Sequence, residues 1–382
     1  MQLSDELHQF QLGIREFVDN RLIPDAKRLD KEQFIERSLI ESLANQGYLA
    51  ASIRHINGGS GYTTHQLMIL HKELARAHGS IENLLTVTGM VAASIERFAK
   101  TDVVKGYLKE LAEGSKVGAF AMTEPDVGSG LSDVTTTISR VGDDYVVNGT
   151  KTWITLAQIA DFFVVLGRTS EKRTQMIVID RATPGLTVEP IADMVGLRAN
   201  MLATVTFDNC RVSADYLLGS EAMGLALPAT FGLHEGRFTT ACGCMGLAEA
   251  ALDIMTDYAL TRKQSRKKLY RHQLVQKLLT ETLVAVKASQ ELLNRAAEAR
   301  DTISPDMVQA IMIAKYSASL TARLATNNAV QLLGASGCQS DRLVERYFRD
   351  AKVMEIIEGT TQVHEIQIAS AHVASNRKRV SL

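Results

Sequence analysis

Proline is scarce and unevenly placed in this sequence, and its distribution constrains the fold more than any other feature. The 382 residues contain six prolines, and the stretches 25–124, 229–304 and 306–382 contain none. These stretches are rich in Ala, Leu, Glu, Lys and Gln, which favour helix, whereas proline interrupts helices. Three of the six prolines fall from position 125 to 190. The sequence therefore predicts helical regions on both sides of a middle region with a different structure.

The middle region has the residue pattern of short β-strands. β-Branched residues dominate 135–140, and Asn148-Gly149 is typical of a two-residue hairpin turn. Further apolar runs, bounded by turn-forming residues, lie at 162–166, 176–179 and 204–207. Regularly spaced short strands with turns between them predict a compact β-sandwich or barrel-like domain.

Helical periodicity returns in the last third of the chain. Apolar residues at three-, four- and seven-residue steps indicate one buried helix face at Leu279, Leu283, Val286, Leu293 and Ala297. We therefore expect an α+β chain that is mostly α. The predicted domains are an α-helical N-terminal domain at 1–116, a central β domain at 117–220 and a C-terminal α-helical bundle at 221–382.

Charge and composition exclude several kinds of partner. Forty-two Lys and Arg against 43 Asp and Glu give a formal net charge of −1, which removes the electrostatic reason to expect nucleic acid. No run approaches the roughly 18 apolar residues of a membrane span, and the first ten residues lack the apolar core of a signal peptide. The four cysteines include no C-x-x-C pair. We expect a cytoplasmic protein with no nucleic-acid, membrane or metal partner.

Several motifs resemble those of the acyl-CoA dehydrogenase family. The sequence reads TEPDVGSG at 123–130 and NGTKTWIT at 148–155, similar to the family's T-E-P-x-x-G-S and N-G-x-K-x-W-I-T. Near the end, VER, RDAK and EGTTQ begin at residues 344, 349 and 358 and resemble its V-E-R, R-D-A and E-G-T-x-Q signatures. The motifs occur in family order across nearly the whole chain. The resemblance implies a helical domain, a β domain and a four-helix bundle, with FAD held between the last two.

The resemblance also implies which residues hold FAD. The residues implied to line the flavin ring are Phe120, Met122, Thr123, Ser129, Trp153 and Thr155. Threonine and serine hydroxyls can donate to and accept from the polar edge of the ring, and tryptophan can stack on its face. The other family positions implied to lie near the cofactor are Arg262, Gln273, Gln331, Gly334, Thr360 and Gln362.

Arg262 matches the family arginine that contacts the FAD pyrophosphate, usually in a neighbouring subunit. The resemblance thus implies a homodimer or homotetramer, and the planar guanidinium suits bidentate phosphate contacts. The sequence then departs from the family pattern, because Ser265 and Arg266 stand where an aromatic residue and a glycine are usual. The resulting basic run at 262–268 and a basic tail at 377–379 offer an attractive surface to an acidic carrier protein.

The reaction implied by the family requires a carboxylate base, and Glu358 matches the glutamate of E-G-T. The apolar residues Ile356 and Ile357 precede it and would raise its pKa by desolvation, while Gly359 leaves room for substrate.

A second glutamate competes for the role of base. Some family members carry the base directly before an arginine, but here Gly236 precedes Arg237, and Glu235 is one residue, about 100°, away on a helix. We predict Glu358 as the base and Arg237 as a group that orients it. The residues implied to contact substrate are Ser129, Arg237 and Gly359.

The implied function is FAD-dependent dehydrogenation of an acyl thioester of CoA or of an acyl carrier protein. The base removes the α-proton while hydride passes from the β-carbon to flavin N5, and the electrons then go to electron-transfer flavoprotein or oxygen.

Two alternatives remain open. Segments 242–246, 304–308 and 350–359 are similar to a branch of secondary metabolism that makes methoxymalonyl extender units, where a hydroxyacyl carrier protein is oxidised at its alcohol carbon. The second alternative is a flavin monooxygenase or oxidase on the same scaffold, although such relatives typically lack the E-G-T glutamate.

Overall fold

The first part of the chain is helical, as the sequence predicted. The computed structural model describes residues 4–170, 173–340 and 342–380, and the side chains of 377–380, with the predicted basic tail, lie outside that description. The helices are α1 (Asp5–Phe17), α2 (Ala26–Glu32), α3 (Arg37–Asn45), α4 (Thr64–Ala77), α5 (Gly79–Phe98) and α6 (Asp102–Ala112). The glycine-rich segment 57–61 forms the end of a short 3-10 turn and a loop before α4.

Local sequence explains where the central helices α4 and α5 begin. Thr63 caps α4, because its hydroxyl accepts from Gln66 N–H while the Gln66 side chain accepts from Thr63 N–H. His78 ends α4 and starts α5, since its Nδ1 accepts from Ser80 N–H. Side chains on nearly every side of α5 are buried, and the helix packs against α4, α6 and the first strand of the middle region. Helix α5 is therefore a core element.

The middle region forms a mixed eight-stranded sheet. The strands are β1 (Gly118–Ala121), β2 (Thr137–Val141), β3 (Asp144–Ile154), β4 (Phe162–Ser170), β5 (Arg173–Asp180), β6 (Leu186–Pro190), β7 (Ala203–Ser213) and β8 (Leu217–Leu218). Their order is β6-β7-β3-β2-β4-β5-β8, and β1 pairs in parallel with β4. Alternate residues of β4 face two cores: Phe162 and Val164 pack with the N-terminal helices, whereas Phe163 and Val165 pack with residues from other strands. The sheet thus encloses a core of its own, as a barrel-like domain requires.

The hairpin predicted at Asn148-Gly149 is wrong. Strand β3 continues through both residues, and β2 and β3 instead turn at Gly142 and Asp143. The pairing of β3 with β7 shifts register between Val147 and Gly149, where Gly149 has φ 145°. Glycine therefore serves a β-bulge here, which bends the strand without ending it.

The last part of the chain is again helical. The elements are α7 (Thr230–Thr261), β9 (Lys263–Gln264), β10 (Lys267–Lys268), α8 (Gln273–Asp301), α9 (Met307–Leu333), α10 (Leu343–Ile356) and α11 (Thr361–Val380). Helix α9 packs against α7, α8 and α10, which gives the expected bundle of four helices. The predicted buried face of α8 is correct at Val286, Leu293 and Ala297, but Leu283 is 45% exposed, because the face passes through Thr282 instead. The mostly α, α+β fold class is confirmed.

Helix α7 is buried on all sides from residue 235 to 248, because this part lies at the centre of the bundle. Among the described residues, Leu225–Thr261 is the one helical stretch whose length and composition would allow a membrane crossing. In its most apolar window 78% of the residues are buried inside the protein. Its hydrophobicity is accounted for by packing against α4, α5 and α9.

The R-D-A motif ties α10 to the other two parts of the molecule. Asp350 is fully buried and its Oδ1 accepts from Leu197 N–H at 2.6 Å. Arg349 lies 2.9 Å from Asp30 on α2 and donates to the carbonyl oxygen of Val195. Burial raises the pKa of Asp350 to about 6. These contacts fix the helix whose C-terminal end leads into Glu358.

Candidate active site

Segments that carry three of the motifs enclose one cavity of about 310 Å³. Its walls come from α5, from β1 and the segment after it, from the end of β3, and from the turn between α10 and α11. The lining residues that the sequence predicted are Phe120, Met122, Thr123, Ser129, Trp153, Thr155, Glu358, Gly359 and Thr360. The fold thus brings together motifs that are far apart in the chain.

A buried ion pair joins the TEP segment to strand β3. Lys151 Nζ lies 2.8 Å from Glu124 Oε1 and donates to the carbonyl oxygen of Met122 at 2.8 Å. The other Glu124 oxygen accepts from the N–H and hydroxyl of Thr135. Burial alone would raise the pKa of Glu124, but these donors outweigh it and lower that pKa to about 2. The glutamate and lysine of the two motifs therefore hold the cavity wall together, a role that the sequence analysis did not identify.

The cavity offers unpaired hydroxyl groups to a ligand. Among the described parts of the chain, the hydroxyls of Thr123, Ser129 and Thr155 have no hydrogen-bond partner, and all three residues line the cavity. Phe120 and Met122 supply an apolar wall beside them. Hydroxyls next to an apolar wall suit a flat heteroaromatic ring with a polar edge. This set of side chains fits the flavin ring of FAD.

Trp153 has an unusual conformation at this cavity. Its side chain is 52% exposed and its φ of 60° lies in the left-handed region. Such a backbone costs on the order of 1–3 kcal/mol for a residue other than glycine and is found most often at functional sites. A large aromatic surface held open beside the cavity is available for stacking. The contact with flavin stays a prediction.

Glu358 lies in a strained turn between two helices. Helix α10 ends at Ile356 and α11 begins at Thr361, and between them Glu358 and Gly359 have φ values of 55° and 99°. Glycine tolerates this region, whereas glutamate adopts it only when the surrounding structure imposes it. Arg237 Nε donates to the carbonyl oxygen of Glu358 at 3.3 Å. Arg237 is thus placed where a residue that orients the base would lie.

The Glu358 carboxylate is poised to accept a proton. Its Oε2 is buried and has no hydrogen-bond partner among the described residues. Burial raises the pKa of Glu358 to about 7, with Glu82 adding to the shift and Arg237 and Lys315 opposing it. A carboxyl group that titrates near neutral pH suits general base catalysis.

Glu235, the competing glutamate, faces another part of the molecule. Its Oε2 lies 2.7 Å from Arg300 Nη1, and both residues line a separate cavity together with Arg54 and Glu96. On the same helix it is Gly236 that lies against the Glu358 carboxylate. The geometry therefore favours Glu358 over Glu235.

A second cavity of about 440 Å³ adjoins the first. The two share Met122, Thr123, Gly128, Ser129, Glu358 and Gly359. The three residues predicted to contact substrate, Ser129, Arg237 and Gly359, all line the second cavity. A cofactor ring in the first cavity and a thioester in the second would meet at Glu358.

Five of the predicted cofactor residues line neither of these two cavities. They are Arg262, Gln273, Gln331, Gly334 and Gln362, and all five are exposed. Arg262 follows α7 at the start of the hairpin formed by β9 and β10. Exposure leaves these residues open to a neighbouring subunit, and their roles stay predictions.

No sequence motif indicated the cavity wall that α5 contributes. Asn83, Val87 and Met90 line the first cavity. Their spacing of four and three residues places them on one helix face, but no motif marked that face as different from an ordinary core face.

Comparison with known proteins identifies the family of the chain. Family models described as the N-terminal, middle and C-terminal domains of acyl-CoA dehydrogenase match residues 4–115, 119–210 and 222–372. The human mitochondrial short-chain specific acyl-CoA dehydrogenase is 32% identical over 378 residues, which are 97% of this chain and 91% of that protein.

Solved structures show the same fold along the whole chain. Butyryl-CoA dehydrogenase from Megasphaera elsdenii superposes with a TM-score of 0.92 at 29% identity, over 98% of this chain and 99% of that one. A protein described as FkbI for biosynthesis of the methoxymalonyl extender unit of the Fk520 polyketide gives a TM-score of 0.86 at 29% identity, over 95% and 99%. The chain belongs to the acyl-CoA dehydrogenase family and is an FAD-dependent oxidoreductase that acts on the CH–CH group of acyl thioesters.

Proposed function

We propose that this protein dehydrogenates a short acyl thioester at its α and β carbons, with Glu358 as the base. The observation that carries the proposal is the Glu358 carboxylate, buried and unpaired at Oε2 where the two cavities meet. Its pKa of about 7, raised by burial, lets it accept a proton from carbon near neutral pH. FAD, when bound, supplies the acceptor for the hydride that leaves the β-carbon.

Backbone and side-chain groups around Glu358 complete the site. The N–H of Glu358 makes no backbone hydrogen bond among the described residues and is available to the thioester oxygen, where negative charge develops. Arg237 holds the carbonyl side of the same residue. Glu358 therefore supplies both the carboxylate base and one N–H donor for the thioester oxygen, and Arg237 holds that residue in place.

A thioester in the second cavity would extend its acyl chain past Glu358 to the α5 wall of the first cavity, and that wall supports a short acyl group. Val87 and Met90 of α5 are buried at that wall, and the Met90 sulfur is in close contact with Gly236. The 32% identical human relative carries the name short-chain specific. We therefore propose a short acyl chain carried by CoA or by an acyl carrier protein.

Anaerobic mixing of the FAD-loaded protein with short acyl thioesters of CoA and of carrier protein tests the proposal. One or more of them should bleach the flavin with no other reductant present. Glu358→Gln should keep FAD but lose nearly all bleaching, because an amide cannot accept the α-proton. Glu235→Gln is the matched control and should bleach normally. The proposed base is wrong if these two variants exchange behaviour, and the proposed function is wrong if no thioester bleaches the wild type.

A second candidate is oxidation of a hydroxyacyl carrier protein at its alcohol carbon. It is favoured by the likeness to the protein described for the methoxymalonyl extender unit. The same bleaching experiment separates the two, because dehydrogenation leaves an α,β-unsaturated thioester whereas alcohol oxidation leaves a carbonyl compound. Mass spectrometry of the released acyl group distinguishes these products.

We further propose a cytoplasmic homodimer or homotetramer in which Arg262 reaches the FAD of a neighbouring subunit, with electron-transfer flavoprotein or oxygen as the acceptor. The exposed position of Arg262 and the exposed apolar residues Leu274 and Val284 on α8 support a contact between subunits. Light scattering that finds a fully active monomer would contradict it.

A further inference from the structure

Lys315 is a buried lysine that no motif singles out. It lies in α9 with its side chain fully buried. Among the described residues no carboxylate lies within ion-pair distance of its ammonium. Burial lowers the pKa of Lys315 to about 8. A cation kept inside a bundle without a charged partner is costly, so its contacts need a specific explanation.

The ammonium of Lys315 donates to the two sides of the turn that carries Glu358. Nζ lies 2.7 Å from the carbonyl oxygen of Gly359 and 3.2 Å from that of Glu355. One carbonyl belongs to the last turn of α10 and the other directly follows Glu358. Lys315 therefore links both sides of a turn whose residues Glu358 and Gly359 are in the left-handed region.

We propose that Lys315 is a positioning residue for the catalytic base: it clamps the 355–359 turn, and its positive charge favours the ionised form of Glu358. This inference rests on the proposed function of Glu358. A clamp that spans the base limits the rotation of the turn, and small displacements of a reacting group can cost about a hundredfold in rate.

The titratable groups around Glu358 come from four helices. Arg237 on α7 and Lys315 on α9 favour the carboxylate, and Glu82 on α5 disfavours it. His364 on α11 is buried beside Gly359, and burial lowers its pKa to about 3, so it is neutral near pH 7. Loss of the Lys315 charge removes one of two nearby cations and must move the pKa of Glu358 upward.

The groups that face Lys315 itself are few. They are Cys244 on α7, Glu355 on α10, Glu358 and Arg237. Burial raises the pKa of the Cys244 thiol to about 12. The Glu355 carboxylate is engaged by Arg323, Lys352 and Thr361, so only its carbonyl oxygen contacts Lys315.

Two substitutions separate the clamp from the charge. Lys315→Met keeps the aliphatic stem and removes both the donors and the charge, whereas Lys315→Gln keeps donors and removes the charge. Lys352→Met is the control, since Lys352 contacts the same segment through the Glu355 side chain but is 55% exposed. In both Lys315 variants, the pH at which the rate of flavin reduction rises should be about one unit higher than in the wild type. Lys315→Met should also lower the limiting rate at least tenfold, and the control should match the wild type.

An infrared titration of the folded apoprotein gives a readout that needs no turnover. The carboxyl band assigned by difference from Glu358→Gln should titrate at higher pH in Lys315→Gln than in the wild type. An unchanged carboxyl titration and an unchanged limiting rate in the folded Lys315 variants would overturn the proposal. Should Lys315→Met fail to fold, the titration of Lys315→Gln decides alone. Failure of the wild type to be reduced by any thioester contradicts the proposed function instead, and leaves the infrared result to judge Lys315.

Discussion

A Cβ atom placed on Gly236 would lie 2.5 Å from Oε2 of Glu358. The position directly before Arg237, where some members of the family carry their base, therefore converges in space with the E-G-T position. Only one of the two positions can hold a side chain of any size. In this chain a glycine at 236 leaves the space to the glutamate at 358.

Gly236→Ala should impair the reaction without removing FAD. The added methyl group meets Glu358 Oε2 and also the Met90 sulfur at 2.7 Å, and both are ends of flexible side chains that must move. We expect a folded, yellow protein whose flavin reduction is slower by about tenfold to a hundredfold. The control is Gly13→Ala, where the added Cβ meets nothing within 4 Å. Wild-type reduction in Gly236→Ala would show that Glu358 does not need its present position.

The rate of flavin reduction by substrate should rise with pH through about 7. Only the ionised Glu358 accepts a proton, and burial raises its pKa to about 7. Stopped-flow reduction from about pH 5 to 9 measures this limb. A rate that rises near the ordinary carboxyl pKa, or a rate independent of pH, would contradict the assignment of Glu358 as the base.

The same raised pKa has an opposite consequence for stability. A carboxyl group whose pKa is higher in the folded than in the unfolded state contributes stability at low pH that is lost as the pH rises through its folded value. The wild type should therefore lose stability relative to Glu358→Gln between about pH 4.5 and 7. Thermal unfolding of both proteins across that range provides the measurement.

Lys151→Met should destabilise the β domain and release FAD. It leaves the Glu124 carboxylate buried without its cation, a change that costs about 3–5 kcal/mol in other proteins. Lys277→Met removes the exposed pair of Lys277 with Glu281 and should cost less than about 1 kcal/mol. Denaturant unfolding and the flavin content of the purified variants test both. Equal stability of the two variants would show that the buried pair is not needed.

Emission from Trp153, the only tryptophan in the sequence, should report on the cofactor. Beside the flavin its fluorescence should be strongly quenched, and removal of FAD without unfolding should restore it. Trp153→Phe should weaken FAD binding about tenfold or less, because stacking contributes about 0.5–1.5 kcal/mol beyond burial. Equal emission from the holoprotein and the folded apoprotein would place Trp153 away from the flavin.

Much of the fold could be predicted because local signals agree with it. The scarcity of proline and the helical periodicity indicated the two helical regions, and β-branched runs indicated the strands. The prediction of a hairpin at Asn148-Gly149 was wrong because a glycine with positive φ is compatible with a β-bulge as well as with a turn. Only the pairing of β3 with β7 distinguishes the two, and that pairing is not local.

The motifs predicted the position of most of the candidate site, but not the contacts that hold its residues in place. The E-G-T motif and the two isoleucines before it indicated Glu358. The pairing of Glu124 with Lys151, the clamp from Lys315 and the contact of Gly236 with Glu358 depend on segments brought together by folding.

Because α5 is buried on nearly all sides, changes that alter which substrates fit the cavity also alter the stability of the fold. Val87 and Met90 face the cavity, yet they belong to the same core cluster as Leu84 and Val91, which hold the N-terminal helices together. A smaller residue at 87 or 90 would admit a bulkier acyl group and at the same time open a void in that core, at a cost of about 1–5 kcal/mol. Natural drift or laboratory selection toward new thioesters must therefore be accompanied by stabilising substitutions elsewhere in the protein. The free energy of unfolding of this enzyme thus limits how large an acyl group its variants can come to accept.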